Sequence, residues 1–405
     1  MHDSRLHYII SMTNPSSHYF EVNIEVRDIT SDRLRFSTPV WTPGSYLVRE
    51  FSRNILEFGA YDLGTGVALS TWKESKNTWV VETSGSKNLN ARYKVYAFEY
   101  TVDTSYLDDL HAVINGGSVF MYVEGLEGET IVLSIEKSKK WTEVSTGLET
   151  ARSEDPRPTF IAENYDMLVD SPIEVGNQRV HSFMVKNVEH QLSVYSNRKF
   201  DQDALVSDLK KIVESTIAVM GQIPYKRYVF LVDFTDEKYG GLEHSNSTHC
   251  MASFFKLEPT QEYKKLLSLF SHEFFHAWNV KRMRPVGLGP FNYSSETYTR
   301  SLWIAEGITS YYDDLLIRRA GIYSVSEYLD ALCSNFNLIS LDGSKWQSAE
   351  ESSFDTWIKH YRQNENSINS VCSYYTQGAV TGWMLDLEIM RKTNGEKRLD
   401  DVMRL

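Results

Sequence analysis

His272, Glu273 and His276 occur in the order His-Glu-Phe-Phe-His. Residues four apart on an α-helix share one face, so both imidazoles can reach a single metal ion. Glu273 follows the first imidazole directly, where its carboxylate can take a proton from a water that the metal activates. Zinc with nitrogen ligands at about 2.0–2.1 Å lowers the pKa of such a water toward about 7. A helix can also hold two His and a Glu by chance. The surrounding segment EYKKLLSLFSHEFFHAWNVKRM has the amphipathic period that the metal reading requires. Zinc is the expected ion.

A catalytic zinc needs a third protein ligand and an open position. The run Leu302-Trp303-Ile304-Ala305-Glu306-Gly307 sets a carboxylate among apolar and small neighbours, early in the next strong helix. A buried carboxylate needs a partner or a metal, so Glu306 is the expected ligand. The plain alternative is a glutamate favoured near a helix start by the helix dipole. Asp313 and Asp314 are two candidates for orienting an imidazole from behind. They could equally be solvated helix charges, and the sequence does not choose between them.

These residues need elements to carry them. The first 170 or so positions read as strands: YFEVNIEVRDI, RLRFSTPVW, NTWVVET and ARYKVYAFEYTV alternate apolar and polar residues, and ETIVLSIEK looks like another. ARSEDPRPTF, with two prolines, reads as an exposed loop. Beyond them DALVSDLKKIVESTIAVMGQ, the HEFFH segment, SLWIAEGITSYYDDLLIRRAG, SVSEYLDALCSNFNLIS and SYYTQGAVTGWMLDLEIMRKTNG carry helical spacing. Arg284-Pro285 should end the second helix and Gly321 the third. RYVFLVDF is a strand with a buried face. The expectation is a multidomain α+β chain: a β-sheet domain, sandwich- or saddle-like, over 1–169, and a mainly helical zinc peptidase domain over 170–405.

Composition removes other classes. The 405 residues carry 42 Lys and Arg against 54 Asp and Glu, a net charge of −12, which disfavours nucleic acid as a partner. No run approaches the roughly 18 apolar residues of a membrane span, and the N-terminus lacks a secretory pattern. Cys250, Cys333 and Cys372 form neither a disulfide framework nor a CxxC zinc site. A cytoplasmic location is the expectation. RLDDVMRL stops inside an apparent helix, which suggests a chain cut from something longer.

The stretch HEFFHAWNVKRMRP, 272–285, resembles the signature of the glycyl aminopeptidase family of zinc metallopeptidases. WTPGSYLVREFSRNI at 41–55, GGLEH at 240–244 and LWIAEGITSYY at 302–312 resemble further blocks of that family, in the same order. The resemblance implies a β-rich N-terminal domain, a thermolysin-like catalytic domain with two His and one Glu on one zinc ion, and often a trailing PDZ domain. It also implies substrates that are peptides with a free N-terminus, chiefly a small residue such as Gly or Ala.

Two more assignments rest partly on this resemblance. In Gly240-Gly241-Leu242-Glu243-His244 the glycines allow close backbone approach, and Glu243 matches the acid that binds the substrate α-ammonium in related aminopeptidases. Gly241 is grouped with it as binding the substrate N-terminus. His244 stands where those enzymes carry Asn. Tyr374-Tyr375-Thr376-Gln377-Gly378 resembles the block that supplies a phenol to the tetrahedral oxyanion, which points to Tyr375, with Tyr374 as the alternative. Gln377 replaces the lysine of that block. Lys281, Arg282 and Arg284 are cations at a helix end, placed there for substrate carbonyls and carboxylates or simply for the dipole. Trp278 and Asn279 read as packing and support behind the ligands, and Cys250 as a small core residue.

The expected function is a zinc aminopeptidase in which Glu273 is the general base. An endopeptidase on the same site, or a silent peptide-binding homologue, are the competing readings.

Overall fold

The computed structural model describes residues 4–257, 260–341 and 343–405. Its backbone forms two compact units, Met1–Gln178 with Tyr293–Ser295, and Arg179–Asn292 with Glu296–Leu405.

The first unit is β-rich. Its largest sheet has seven strands in the order Glu149–Thr150, Thr159–Ala162, Ile131–Glu136, Leu6–Ser11, Tyr19–Val26, Leu89–Tyr96, Ile55–Asp62. Leu6–Ser11 runs parallel to Ile131–Glu136, and the other neighbours are antiparallel. Alternation in sequence becomes alternation in burial: Leu6, Tyr8 and Ile10, then Phe20, Val22, Ile24 and Val26, all point inward. Two four-stranded sheets complete the unit. Residues 151–158, the proline-bearing loop, form no regular element.

The second unit has one five-stranded sheet, in the order Arg179–Val185, Val188–Ser196, Arg227–Thr235, Ser247–Ser253, Gly240–Glu243. The three central strands are parallel to one another, and Gly240–Glu243 is an antiparallel edge strand. Helices Gln202–Met220, Thr260–Phe275, Thr309–Arg319 and Tyr374–Lys392 supply most of the helical mass. Phe230, Val232, Cys250, Phe270, Phe274 and Tyr312 lie in its apolar core, and that burial fixes the zinc-motif helix against the sheet. Helix termini carry caps, among them Gly321, which the sequence anticipates. Gly221 and Gly321 take left-handed backbone (φ +78° and +75°), and Ser324 forms a reciprocal cap with Glu327.

Two helices depart from the sequence expectation. The HEFFH helix ends as regular α-helix at Phe275, and irregular turns carry the chain onward, well before Pro285. His276 Nδ1 is hydrogen-bonded to the Asn279 carbonyl at 2.6 Å, so that carbonyl is drawn to a side chain. The Glu306 segment opens as a π-helical turn, Trp303–Ile308, before normal helix resumes at Thr309. Such widened turns are rare and concentrate at functional sites. All three cysteines are free thiols. Among the described residues, no helix is long and apolar enough to cross a membrane.

Candidate active site

Helical period puts His272 and His276 on one face, with ring centroids 4.7 Å apart and planes at 82°. Glu306 reaches them from the π-helical turn. Its Oε2 lies 3.4 Å from His272 Nε2 and 3.1 Å from His276 Nε2. Donor atoms of the three residues all fall within 4.8 Å of one another. Tetrahedral zinc with ligands at about 2.0–2.2 Å would separate them by about 3.3–3.6 Å. Two imidazoles and one carboxylate, buried together at this spacing, fit such an ion.

The far side of each imidazole is already engaged. His272 Nδ1 meets Asp313 Oδ2 at 3.0 Å, and His276 Nδ1 meets the Asn279 carbonyl. Both contacts keep a proton on Nδ1 and leave the Nε2 lone pair for a metal. Asp313 is therefore the residue that orients His272. Asp314 turns instead to Ser268, whose hydroxyl donates to it at 2.9 Å. The Asn279 side chain acts as well, its amide donating to the Ile304 and Ala305 carbonyls and to Thr309 Oγ1 at 3.0–3.1 Å. One asparagine thus ties the end of the zinc-motif helix to the turn bearing Glu306.

Glu273 and Glu243 complete the cluster. Glu243 stands at the end of the edge strand, buried, with a carboxylate oxygen within 4.8 Å of ligand atoms of Glu273 and His276. Lys281 Nζ is 3.8 Å from Glu243 Oε1, and both side chains are buried. Gly241 lies against Glu273: a Cβ there would stand 2.2 Å from Glu273 Oε1. The absent side chain makes room for that carboxylate. Arg282 donates to backbone carbonyls of Ser245, Ala277 and Pro224, a structural use of its charge.

Electrostatics follow from burial. Desolvation pushes the Glu273 carboxyl up to about 7, although both imidazoles pull it down. Burial would also raise Glu306, but the imidazoles overcome it and hold that group well below the usual carboxylate range. Burial and the neighbouring Asp313 push Asp314 up to about 7.

The Tyr pair divides cleanly. Tyr374 is fully buried, and its hydroxyl pairs with that of Thr356 at 3.0 Å. Tyr375 is partly exposed, and its ring stacks on His272 at 6.1 Å and 26°. Tyr375 is the phenol beside the ligand cluster. Sequence reasoning missed His360, whose ring stacks on Tyr375 at 5.4 Å and 25°. It also missed Gly307 and Gly378, which let the Glu306 turn and the Tyr375 helix touch. The one sequence signal for that contact was a glycine in each helical run.

Residues 7–177 match the family model described as the peptidase M61 N-terminal domain, and residues 265–381 match that of M61 glycyl aminopeptidase. A crystal structure of an aminopeptidase N family protein from Idiomarina loihiensis is 33% identical. It superposes with a TM-score of 0.93 over 98% of this chain and 69% of its own. The chain belongs to the M61 glycyl aminopeptidase family. It is accordingly a metallo-aminopeptidase, a hydrolase of peptide bonds, as the resemblance in the motifs implied. More distant structures share the fold. Leukotriene A4 hydrolase from Saccharomyces cerevisiae is 15% identical with a TM-score of 0.57, covering 99% of this chain and 61% of that one. An M1 zinc metallopeptidase from Deinococcus radiodurans is 11% identical with a TM-score of 0.59, covering 98% and 84%. No curated protein matches the sequence.

Proposed function

We propose that this M61 chain is a zinc aminopeptidase that releases small N-terminal residues, Gly or Ala, from peptides. The observation that carries the reading is the convergence of His272, His276 and Glu306 with two further buried acids, Glu273 and Glu243. His272, His276 and Glu306 would hold one zinc ion. A bound zinc would supply Lewis acidity, making water acidic and polarising the scissile carbonyl.

Glu273 takes the proton from the attacking water as oxygen bonds to the carbonyl carbon. It then delivers that proton to the nitrogen as the C–N bond breaks, so the leaving amine departs neutral. Tyr375 donates its phenol proton in a hydrogen bond to the tetrahedral oxyanion. Glu243 receives the substrate's α-ammonium, and its position beside Glu273 keeps the terminus one residue from the bond to be cut. That placement supports an aminopeptidase over an endopeptidase.

The test is zinc content measured together with kcat/KM on Gly- and Ala-anilides and their N-acetylated forms. One zinc per chain and a strong preference for the free amine are expected. Equal cleavage of free and blocked substrates would reject the aminopeptidase reading.

A further inference from the structure

A tyrosine side chain turns about two torsions, and its hydroxyl sits at the far end of both. A phenol that serves an oxyanion works best when it is in place before the charge develops. Tyr375 stands in the first turn of the helix Tyr374–Lys392, which fixes where its side chain starts but not where its oxygen ends. Three rings lie against it with nearly parallel planes. They are His272 at 6.1 Å and 26°, His360 at 5.4 Å and 25°, and Tyr374 at 4.8 Å and 27°. His360 and Tyr374 also meet each other at 4.9 Å, so these two and Tyr375 form a closed triangle of rings.

Two of the three neighbours have other tasks. His272 Nδ1 is committed to Asp313 at 3.0 Å, and the Tyr374 hydroxyl to that of Thr356 at 3.0 Å. The third does not. Among the described residues the His360 ring makes no hydrogen bond and no ion pair. Its ring contacts are with Tyr361, Tyr374 and Tyr375.

We propose that His360 is a positioning residue of the reaction, its flat ring holding the Tyr375 phenol in place for the oxyanion. The inference rests on the oxyanion reading of Tyr375 given above. The segment that carries His360 is itself anchored. It lies between the helices Ala349–Phe354 and Ser367–Ser370, with Thr356 and Trp357 buried and Thr356 bonded to Tyr374. Lys359 pairs with Asp355 at 2.9 Å and braces the turn just before His360. Tyr375 stays partly exposed beside this packing, as a phenol that meets substrate must. A smaller side chain at 360 would open one flank of the phenol and let it visit further rotamers. The donor would then be misplaced in part of the population. Transition-state stabilisation would fall while substrate binding stayed. What acts is the shape of the imidazole and not its nitrogen atoms.

The experiment compares the zinc-loaded enzyme with His360→Ala, His360→Phe, Tyr375→Phe and the double variant His360→Ala/Tyr375→Phe. Zinc stoichiometry, Tm, kcat and KM on Gly-anilide would be measured, with Ki for a phosphinic pseudodipeptide that mimics the tetrahedral state. His360→Ala should keep its zinc and leave KM within about twofold. Its kcat should fall about tenfold, a fraction of the roughly 10²–10³ typical of losing an oxyanion donor outright. Ki should rise by the same factor. His360→Phe restores a flat ring without the nitrogen atoms, and should return kcat and Ki to within about twofold of the unmodified enzyme. In the Tyr375→Phe background His360→Ala should change neither number. Unchanged kcat and Ki in His360→Ala, equal losses in both backgrounds, or loss of zinc from His360→Ala would each overturn the proposal. So would a zinc-bound His360→Phe enzyme that is about tenfold slow, whether or not His360→Ala folds. Should Tyr375→Phe itself keep full kcat, the oxyanion reading of Tyr375 falls, and the role of His360 with it. A slow Tyr375→Phe beside an unimpaired His360→Ala would reject the role of His360 alone.

Discussion

Gly307 and Gly378 meet backbone to backbone. A Cβ on Gly307 would stand 2.4 Å from the Gly378 Cα, and one on Gly378 would stand 2.2 Å from the Trp303 carbonyl oxygen. Neither helix has room for a side chain there. The contact presses the turn that bears Glu306 onto the helix that bears Tyr375, and so sets a buried carboxylate and a phenol side by side.

Gly378→Ala should therefore push the two elements apart. Overpacking of this kind costs about 1–3 kcal/mol of stability, and the displaced Glu306 should bind zinc more weakly. Thermal melts with and without a zinc buffer would register both effects. A variant with unchanged Tm and unchanged zinc affinity would contradict the contact.

At Gly241 the expected result differs, because the obstructed atom belongs to a side chain. Gly241→Ala should displace the Glu273 carboxylate while leaving the ligand set alone. Zinc content should stay at one per chain, and kcat should fall at least about tenfold, within the range that general-base catalysis supplies. Metal analysis alongside steady-state kinetics separates this outcome from general unfolding.

Glu273→Gln removes the base without adding bulk. Because Glu273 is not a ligand in this reading, the variant should bind zinc normally and lose about 10²–10⁴ in kcat. An active zinc-bound Glu273→Gln enzyme would refute the mechanism.

Asp313 acts through His272. Asp313→Asn should leave the fold intact and weaken zinc binding by about 10–100-fold, the usual cost of losing an outer partner of a ligating imidazole. Asp314→Asn should matter much less, since Asp314 bonds Ser268 and not the imidazole. Competition with a chromogenic chelator would rank the two variants.

Glu243→Gln tests substrate binding. A charge-assisted hydrogen bond is worth about 1.5–3 kcal/mol, or about 10–150-fold in kcat/KM. The variant should lose that factor on free-amine substrates and narrow the gap between free and acetylated peptides. Undiminished discrimination would move the ammonium site elsewhere.

The placement of His272 and His276 on one face was legible in the chain because its geometry is local. A helical period places residues four apart on one face, whatever the rest of the protein does. Strand alternation in the first unit was legible for the same reason, and Glu306 because apolar neighbours leave a carboxylate in need of a partner. Tertiary structure decided what depends on segments distant in sequence. It put Asp313 rather than Asp314 behind His272, buried Tyr374 and left Tyr375 beside His272. It also turned Gly241 into space for Glu273, ended the regular helix at Phe275, and brought His360 onto a phenol in another helix. None of these has a period or a spacing of its own. Each is set by which surfaces pack together, and a close approach such as Gly307 on Gly378 exists only once both helices are in place.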